Sequence, residues 1–553
     1  MKNALKLLFL AIFLIHVKLT AQNTMEPAWN YMADETNGDY AIDFWVNPLG
    51  DSYTLGNIGQ VAGSSHPNAV MFVKTDNTGE EVWRNILYPV TTDWQLFARS
   101  VVGDEDGNVF VVYNESYKYT EMTNNRIVVA KFSPDGTQLW SQYYTEQQNG
   151  PIEEINHRSA IYKNGILYFT GISTDVEPSA NLDGLIVKIN GNSGELISKL
   201  VFNSQYNSDD VFRQIKVADN GEVWAIGRSR GYMMEGGIYS DYDANIVKYD
   251  AEGILVWEHR LNGTSNNVDH GINVDIDSEG NSYISSQLRV LGINQRRVYI
   301  QKLTHEGNVA WTYQYQGSSS GYNWDQPIKI LPNNRIAFAT SNENGIVLQC
   351  LSANNGTLLW QANYNRNDMG SANHQEDMIV DNDSNIYITG VSRDNTPMGA
   401  GYDMVTLKYS DNGELLSLYN FNYGDYSTTG DMGIKLLTDS PGNLYVLGNS
   451  SYGTNYNDDF VILKFGDASL EIPETVQLKF AVYPNPSDYY INVSGSNYID
   501  SISLVDINGR IVKYIKPDSN STIIDISNLS PAMYFIKIES EGLTTSYKII
   551  KKQ

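Results

Sequence analysis

Cysteine is nearly absent. Cys350 stands alone in 553 residues, so no disulfide forms within the chain and stability has to come from a packed core. Long hydrophobic runs are missing as well: the longest, Leu7 to Ile15, falls far short of the roughly 20 residues that a membrane-spanning helix needs, and no later segment approaches it. Positive charge is scarce, with 38 Lys and Arg against 64 Asp and Glu and a net charge of −26. Affinity for phosphate backbones comes from clustered basic side chains, and no such cluster occurs, which argues against a nucleic-acid partner.

What is present begins at the N-terminus. Lys2 and Lys6 precede the apolar run, and Leu19-Thr20-Ala21 follows it. That is the layout of a secretory signal peptide over residues 1–21. Its removal takes away Lys2, Lys6 and Lys18 and no acid, leaving a charge of −29. The expected product is a soluble, monomeric protein outside the cytoplasm, kept in solution by its negative charge.

Two signals recur in step along the chain. One is a turn followed by a strand with an aromatic residue, as in Gly50-Asp51-Ser52-Tyr53, Gly107-Asn108-Val109-Phe110 and Gly221-Glu222-Val223-Trp224. Its aromatic positions are Tyr53, Phe110, Tyr168, Trp224, Tyr283, Phe338, Tyr387 and Tyr445, at spacings of 57, 58, 56, 59, 55, 49 and 58. The other follows about 20 residues later: a lysine strand, a turn and a tryptophan strand, as in Lys74, Gly79 and Trp83 or Lys248, Gly253 and Trp257. Trp140, Trp311 and Trp360 fill the same slot, while Ser198 and Ser417 mark degenerate copies.

Each unit divides into four strand-like stretches separated by Gly, Asn and Asp, the turn chemistry of antiparallel hairpins. Four strands repeated radially make a propeller blade, and eight units predict eight blades over residues 24–465. The eighth unit stops after Phe465 without a tryptophan strand, whereas a lone one, around Trp29, precedes the first unit. The N-terminal strand is therefore expected to complete the eighth blade and close the ring. The tryptophans are assigned to packing between blades, and truncating one is expected to cost about 3–5 kcal/mol.

The Asp381 to Gly390 and Lys248 to Trp257 stretches resemble the β-propeller repeats of bacterial surface and exported proteins. The resemblance implies a fold and says little about activity. Gly356-Thr357-Leu358-Leu359-Trp360 is also similar to strands of pyrroloquinoline quinone enzymes, but the vicinal cysteines common in that family are missing here.

A linker at 466–479 leads to a different pattern. Tyr483-Pro484-Asn485-Pro486, the turn Asp506-Ile507-Asn508-Gly509-Arg510, Ile526 to Leu529 and Met533 to Lys537 occur in order, with alternating apolar strands that predict a small β-sandwich over 480–553. This segment resembles the type A C-terminal sorting domain of type IX secretion cargo in Bacteroidota. Ala532 stands where that family usually has glycine. The resemblance implies passage through the type IX machinery, removal of the domain by a sorting peptidase, and cargo that is secreted or held at the outer-membrane surface.

Chemistry is sought where propeller loops open around the central channel. The loops between second and third strands are rich in Tyr, Asn, Gly and Ser, a composition suited to stacking on and hydrogen bonding to a glycan or protein. Tyr117, Tyr119, Tyr232, Tyr239, Tyr402, Tyr452 and Tyr456 are the candidate contact residues. His157, His270 and His374, with His66 beside them, are candidate bases, and Asp210, Asp269 and Asp325 lie at similar positions. Recurrence of Asp39, Asp210, Asp269 and Asp431 favours a structural role, accepting backbone N–H bonds where a strand begins. Acidic turns such as 275–280 and 381–385 resemble half of a calcium loop but lack its distal glutamate. No metal or organic cofactor is therefore expected, with calcium the one alternative. A binding or scaffold protein is the leading expectation. A polysaccharide lyase or hydrolase working at the channel mouth is the other.

Overall fold

The computed structural model describes residues 23–552 except 34–38, 61–66, 90, 92, 118–124, 145–151, 175–180, 232–240, 265–267, 291–295, 319–324, 343–344, 367–372, 394–400, 424–429, 453–456, 467–479, 507–509, 518 and 541–542. The expected signal peptide and nearly all of the expected linker lie outside these residues. Among the described residues there is no α-helix, and no helix is long and apolar enough to cross a membrane. The chain divides into two compact units, Met1–Ala468 and Ser469–Gln553.

In the first unit the described residues form eight antiparallel sheets, numbered here in chain order. Sheet 1 runs Asp39–Val46, Ser52–Gln60, Pro67–Thr75 and Glu81–Leu87. Each later sheet repeats this up-and-down order, and the innermost strands begin at Trp94, Ile152, Asp210, His270, Ile328, His374 and Asp431. Four-stranded sheets repeated in this way make the unit a β-propeller. In sheet 3 the inner strand is split into Ile152–Ile155 and Ile161–Lys163. Sheet 8 has three strands of its own, and Trp29–Ala33 pairs antiparallel with its last one, Asn457–Phe465. Ahead of that, Asn23–Thr24 pairs parallel with Leu415–Phe421 at the outer edge of sheet 7.

Apolar residues alternate so that both faces of each sheet are covered. The result is a series of shared cores: Tyr53 and Phe72 of sheet 1 pack with Val109 and Phe132 of sheet 2, and each later pair of neighbours shares such a cluster. A further cluster joins Tyr445 and Phe460 of sheet 8 to Phe44 and Met71 of sheet 1, with Ala33 among them.

The recurring lysine and tryptophan have a common task. Trp83 Nε1 and Lys74 Nζ both donate to the carbonyl of Pro134 in the next sheet, at 3.1 and 3.2 Å. The Trp83 ring lies against the turn glycine Gly136, whose φ of 85° leaves no strain-free place for a Cβ, and a Cβ there would sit 3.0 Å from the indole. The same contact joins Trp140 to Gly194, Trp257 to Gly307, Trp311 to Gly356 and Trp360 to Gly413. Apart from Trp311, these indoles are half-buried rather than enclosed. The expected loss on truncation is accordingly revised downwards, to about 2–3 kcal/mol for partial burial plus one hydrogen bond.

The second unit is built of two sheets. One holds Phe480–Tyr483, Tyr490–Ile499 and Ser519–Asp525; the other holds Ile511–Ile515, Ser501–Asp506, Met533–Ser540 and Leu543–Ile550. Ile491, Val493 and Ile524 from the first meet Ile502, Leu504, Ile536 and Ile538 from the second in one core.

Candidate functional site

The innermost strands carry a repeated irregularity. Six of them contain a β-bulge, whose extra residue is Ile42, Arg99, Arg213, Ile272, Glu376 or Ile434. A bulge re-aims side chains locally, and here it lets two consecutive residues reach the space between the inner strands: Arg213 with Gln214, Ile272 with Asn273, and Glu376 with Asp377. These pairs, with Asn156, His157 and Arg158 of sheet 3, Arg228, His270, Asp325 and Lys435, line a cavity of about 570 Å³.

Several acids of the inner strands serve the scaffold, and of these Asp377 also lines the cavity. Asp43 accepts Val101 N at 2.9 Å, Asp275 accepts Ile330 N at 3.1 Å and Asp377 accepts Leu436 N at 2.9 Å, each tying one inner strand to the next. Lys435 is committed to Asp43 and to the Phe44 carbonyl, the latter at 3.0 Å. Glu376 and Asp325 are different, since the two carboxyl groups are hydrogen bonded to each other. Burial and then the Asp325 charge push Glu376 up to about 8, so it keeps its proton at neutral pH. His374 Nε2 stands 3.5 Å from Glu376 Oε1.

Facing this pair are cations. Burial and the neighbouring Arg228 and Arg158 lower the proton affinity of Arg213, while Asp325 partly restores it. Arg228 stacks on the Tyr242 ring at 4.4 Å. Arg158 adopts φ 56°, a left-handed conformation uncommon for a residue with a side chain. It donates to the Ile434 carbonyl of sheet 8. Burial and the cations around them take His157 and His270 down to about 3, so both imidazoles are neutral at pH 7. Arg99 Nη1 lies 2.7 Å from His157 Nε2.

Of the residues expected from sequence, His157, His270 and Asp325 therefore meet in one cavity. His374 adjoins it and lines a second cavity of about 350 Å³ with Tyr402, Tyr40 and Asp431. Tyr402 is exposed, with the Arg393 guanidinium 5.5 Å from its ring centre. Tyr117 packs edge-on against Trp94 at 5.4 Å. Tyr119, Tyr232, Tyr239, Tyr456 and His66 lie outside the described residues, as does the side chain of Tyr452. The strand-start aspartates have the expected geometry: Asp210 accepts Ser204 N at 2.7 Å, Asp269 accepts Gly263 N at 2.5 Å and Asp431 accepts Tyr423 N at 2.9 Å. In the acidic turns, Asp277 and Asp381 each cap two backbone N–H groups of their own turn. The sequence reading missed Arg158, Arg213, Arg228 and Glu376.

Comparison with known proteins decides the second unit. A family described as the secretion system C-terminal sorting domain matches residues 481–552. The C-terminal unit is a type IX secretion sorting domain. It marks the chain for handling by that machinery and for export to the cell surface or beyond. Within the sorting domain Lys551 N bonds the carbonyl of Ala532, the residue that replaces the family's usual glycine, at 2.9 Å. Ahead of the sorting domain, the family described as outer membrane protein assembly factor BamB matches residues 182–400, within the propeller repeats. No curated protein matches the sequence. Among solved structures, the Dos1 propeller is 11% identical, covering 80% of this chain and 96% of its own at a TM-score of 0.43. PorZ, a surface component of the type IX secretion system of Porphyromonas gingivalis, is 10% identical over 94% of this chain and 82% of its own, at 0.31. A protein of unknown function from Bacteroides caccae is 15% identical over 56% and 93%, at 0.29.

Proposed function

We propose that this protein is an exported binding protein that holds a polar ligand in the cavity between its inner strands. The supporting observation is that cavity, of about 570 Å³, within the range of small-molecule sites and walled by guanidiniums on one side and a proton-sharing carboxyl pair on the other. The scaffold we propose is a ring of eight blades, with Trp29–Ala33 supplying the last strand of the eighth, and a sorting peptidase removing the sorting domain. The cluster that joins sheet 8 to sheet 1 through Ala33 supports the closure. Tyr402 beside the second cavity supports a contact surface that extends onto the loops.

The test is an array of glycans and secreted proteins probed with the full-length protein and with Arg213→Met. A ligand bound by the parent and lost by the variant supports the reading, and a blank array counts against it. A second reading, a polysaccharide lyase or hydrolase, is favoured by Glu376 standing protonated beside Asp325 and His374, where it could serve as a general acid. Cleavage of the bound glycan on incubation, abolished by Glu376→Gln, would replace binding with catalysis.

A further inference from the structure

Charge in the cavity is sorted rather than mixed. Arg158, Arg213 and Arg228 come from sheets 3 and 4, whereas Glu376 and Asp325 come from the inner strand of sheet 7 and the segment leading into sheet 6. A chain of net charge −26 thus gathers three guanidiniums around one space, where burial and mutual repulsion already disfavour the charge on Arg213. The strained φ of Arg158 belongs to the same wall, and such strain collects at ligand-binding positions. Asp377 and Lys435 are occupied by the backbone N–H and carboxylate partners already described, so Asp325 is the acid that answers the arginines directly.

Between the arginines and the carboxyl pair the cavity is lined by hydrogen-bonding groups that carry no net charge. Asn156, Gln214 and Asn273, of sheets 3, 4 and 5, offer amides that donate and accept, and the Glu376–Asp325 pair offers carboxyl oxygens that accept. Apolar lining is limited to Val211 and Ile272, too little to bury the side chains of a peptide. A planar guanidinium fork matches a carboxylate in two parallel bonds, and amides with a carboxyl pair match sugar hydroxyls.

We infer that the cavity binds a uronic acid residue, its carboxylate held by Arg213 and Arg228 and its hydroxyls by the amides and the Glu376–Asp325 pair. This inference rests on the proposed binding role and names its ligand. Titration calorimetry of the full-length protein with glucuronic, galacturonic and mannuronic acid disaccharides, with the methyl ester of each and with inorganic phosphate, provides the test. At least one uronate binds, and its ester, which keeps every hydroxyl and loses the charge, binds roughly ten- to hundredfold more weakly. Arg228→Gln weakens the acid by the same factor and leaves the ester unchanged, with an unaltered circular dichroism spectrum showing that the variant folds. Equal binding of acid and ester, or binding of phosphate without any uronate, overturns the inference while the binding role stands. So does a different ligand emerging from the array when no uronate binds. Failure of every sugar together with a blank array removes both.

Discussion

Glu376 and the cavity histidines pull stability in opposite directions with pH. A carboxyl whose proton is held to about 8 in the folded chain, against an ordinary 4.5, favours folding while protonated and loses that advantage as pH rises between the two. Asp269, raised to about 7 by burial, behaves alike, and Asp210 and Asp431, raised to about 6, complete their change sooner. His157 and His270, lowered to about 3 from an ordinary 6.5, act the other way: they cost stability as pH falls below 6.5. Above about 6.5 the imidazoles are largely neutral in both states, and only Glu376 and Asp269 of these groups still titrate substantially on folding. The thermal midpoint is therefore expected to fall from pH 6.5 to 8. Glu376→Gln keeps the shape and removes the ionisation, so it should raise the midpoint at pH 8 and flatten that fall. Thermal melts followed by circular dichroism across the range measure this, and a variant with the parental slope would sink the assignment.

Between neighbouring sheets, the unit of cohesion is a tryptophan, a lysine and a turn glycine of the next sheet. Trp83 and Gly136 test it as a pair. Trp83→Ala removes about half an indole's burial and one hydrogen bond, about 2–3 kcal/mol. Gly136→Ala imposes a left-handed conformation on a residue with a Cβ, about 1–2 kcal/mol, and sets that Cβ 3.0 Å from the indole. With the indole gone the second strain vanishes. The double variant should therefore be less destabilised than the sum, by about 0.5 kcal/mol or more in urea melts; strict additivity would show that the contact carries nothing. This element was readable in the chain because every copy needs the same residue types at the same offsets. The cavity was not, because the corresponding inner positions carry Asp43, Ser100, Gln214, Asn273, Asp377 and Lys435, of which only Asp43 and Asp377 share a residue type and a task. Their neighbours Arg213 and Glu376 reach the cavity through a bulge that backbone hydrogen bonding creates, and Arg158 through a left-handed turn. Nothing in local composition announces either device. The histidines were found because they stand in or near the loops expected to open around the channel, where a side chain able to act as a base draws notice.

At the scale of the whole molecule, the contacts between sheet 8 and sheet 1 have the form of those between sheets adjacent in sequence. Asn449 Oδ1 accepts Ala41 N at 2.7 Å, as Asn57 accepts Ala98 N at 2.8 Å and Asn114 accepts Ile155 N at 3.0 Å. Trp29 Nε1 and Lys464 Nζ converge on the Asn77 carbonyl at 3.0 and 2.9 Å, as Trp83 and Lys74 converge on Pro134. Tyr31 adds a bond that a mere edge strand would not need: its hydroxyl donates to Glu81 at 2.5 Å and accepts from Arg84 at 3.2 Å, both in sheet 1. The proposed closure makes Trp29 equivalent to Trp83 although the chain reaches it hundreds of residues away from its partners on sheet 8. Trp29→Ala is therefore expected to lower stability by the same about 2–3 kcal/mol as Trp83→Ala, while unfolding stays a single transition for the first unit, because in the proposed ring every sheet still has two neighbours. Were the N-terminal strand only an ornament on the edge of sheet 8, Trp29→Ala would leave the urea midpoint where it was. Comparing the two variants with the parent separates these outcomes, and the control Trp83→Ala shows what the loss of one such contact costs inside the ring.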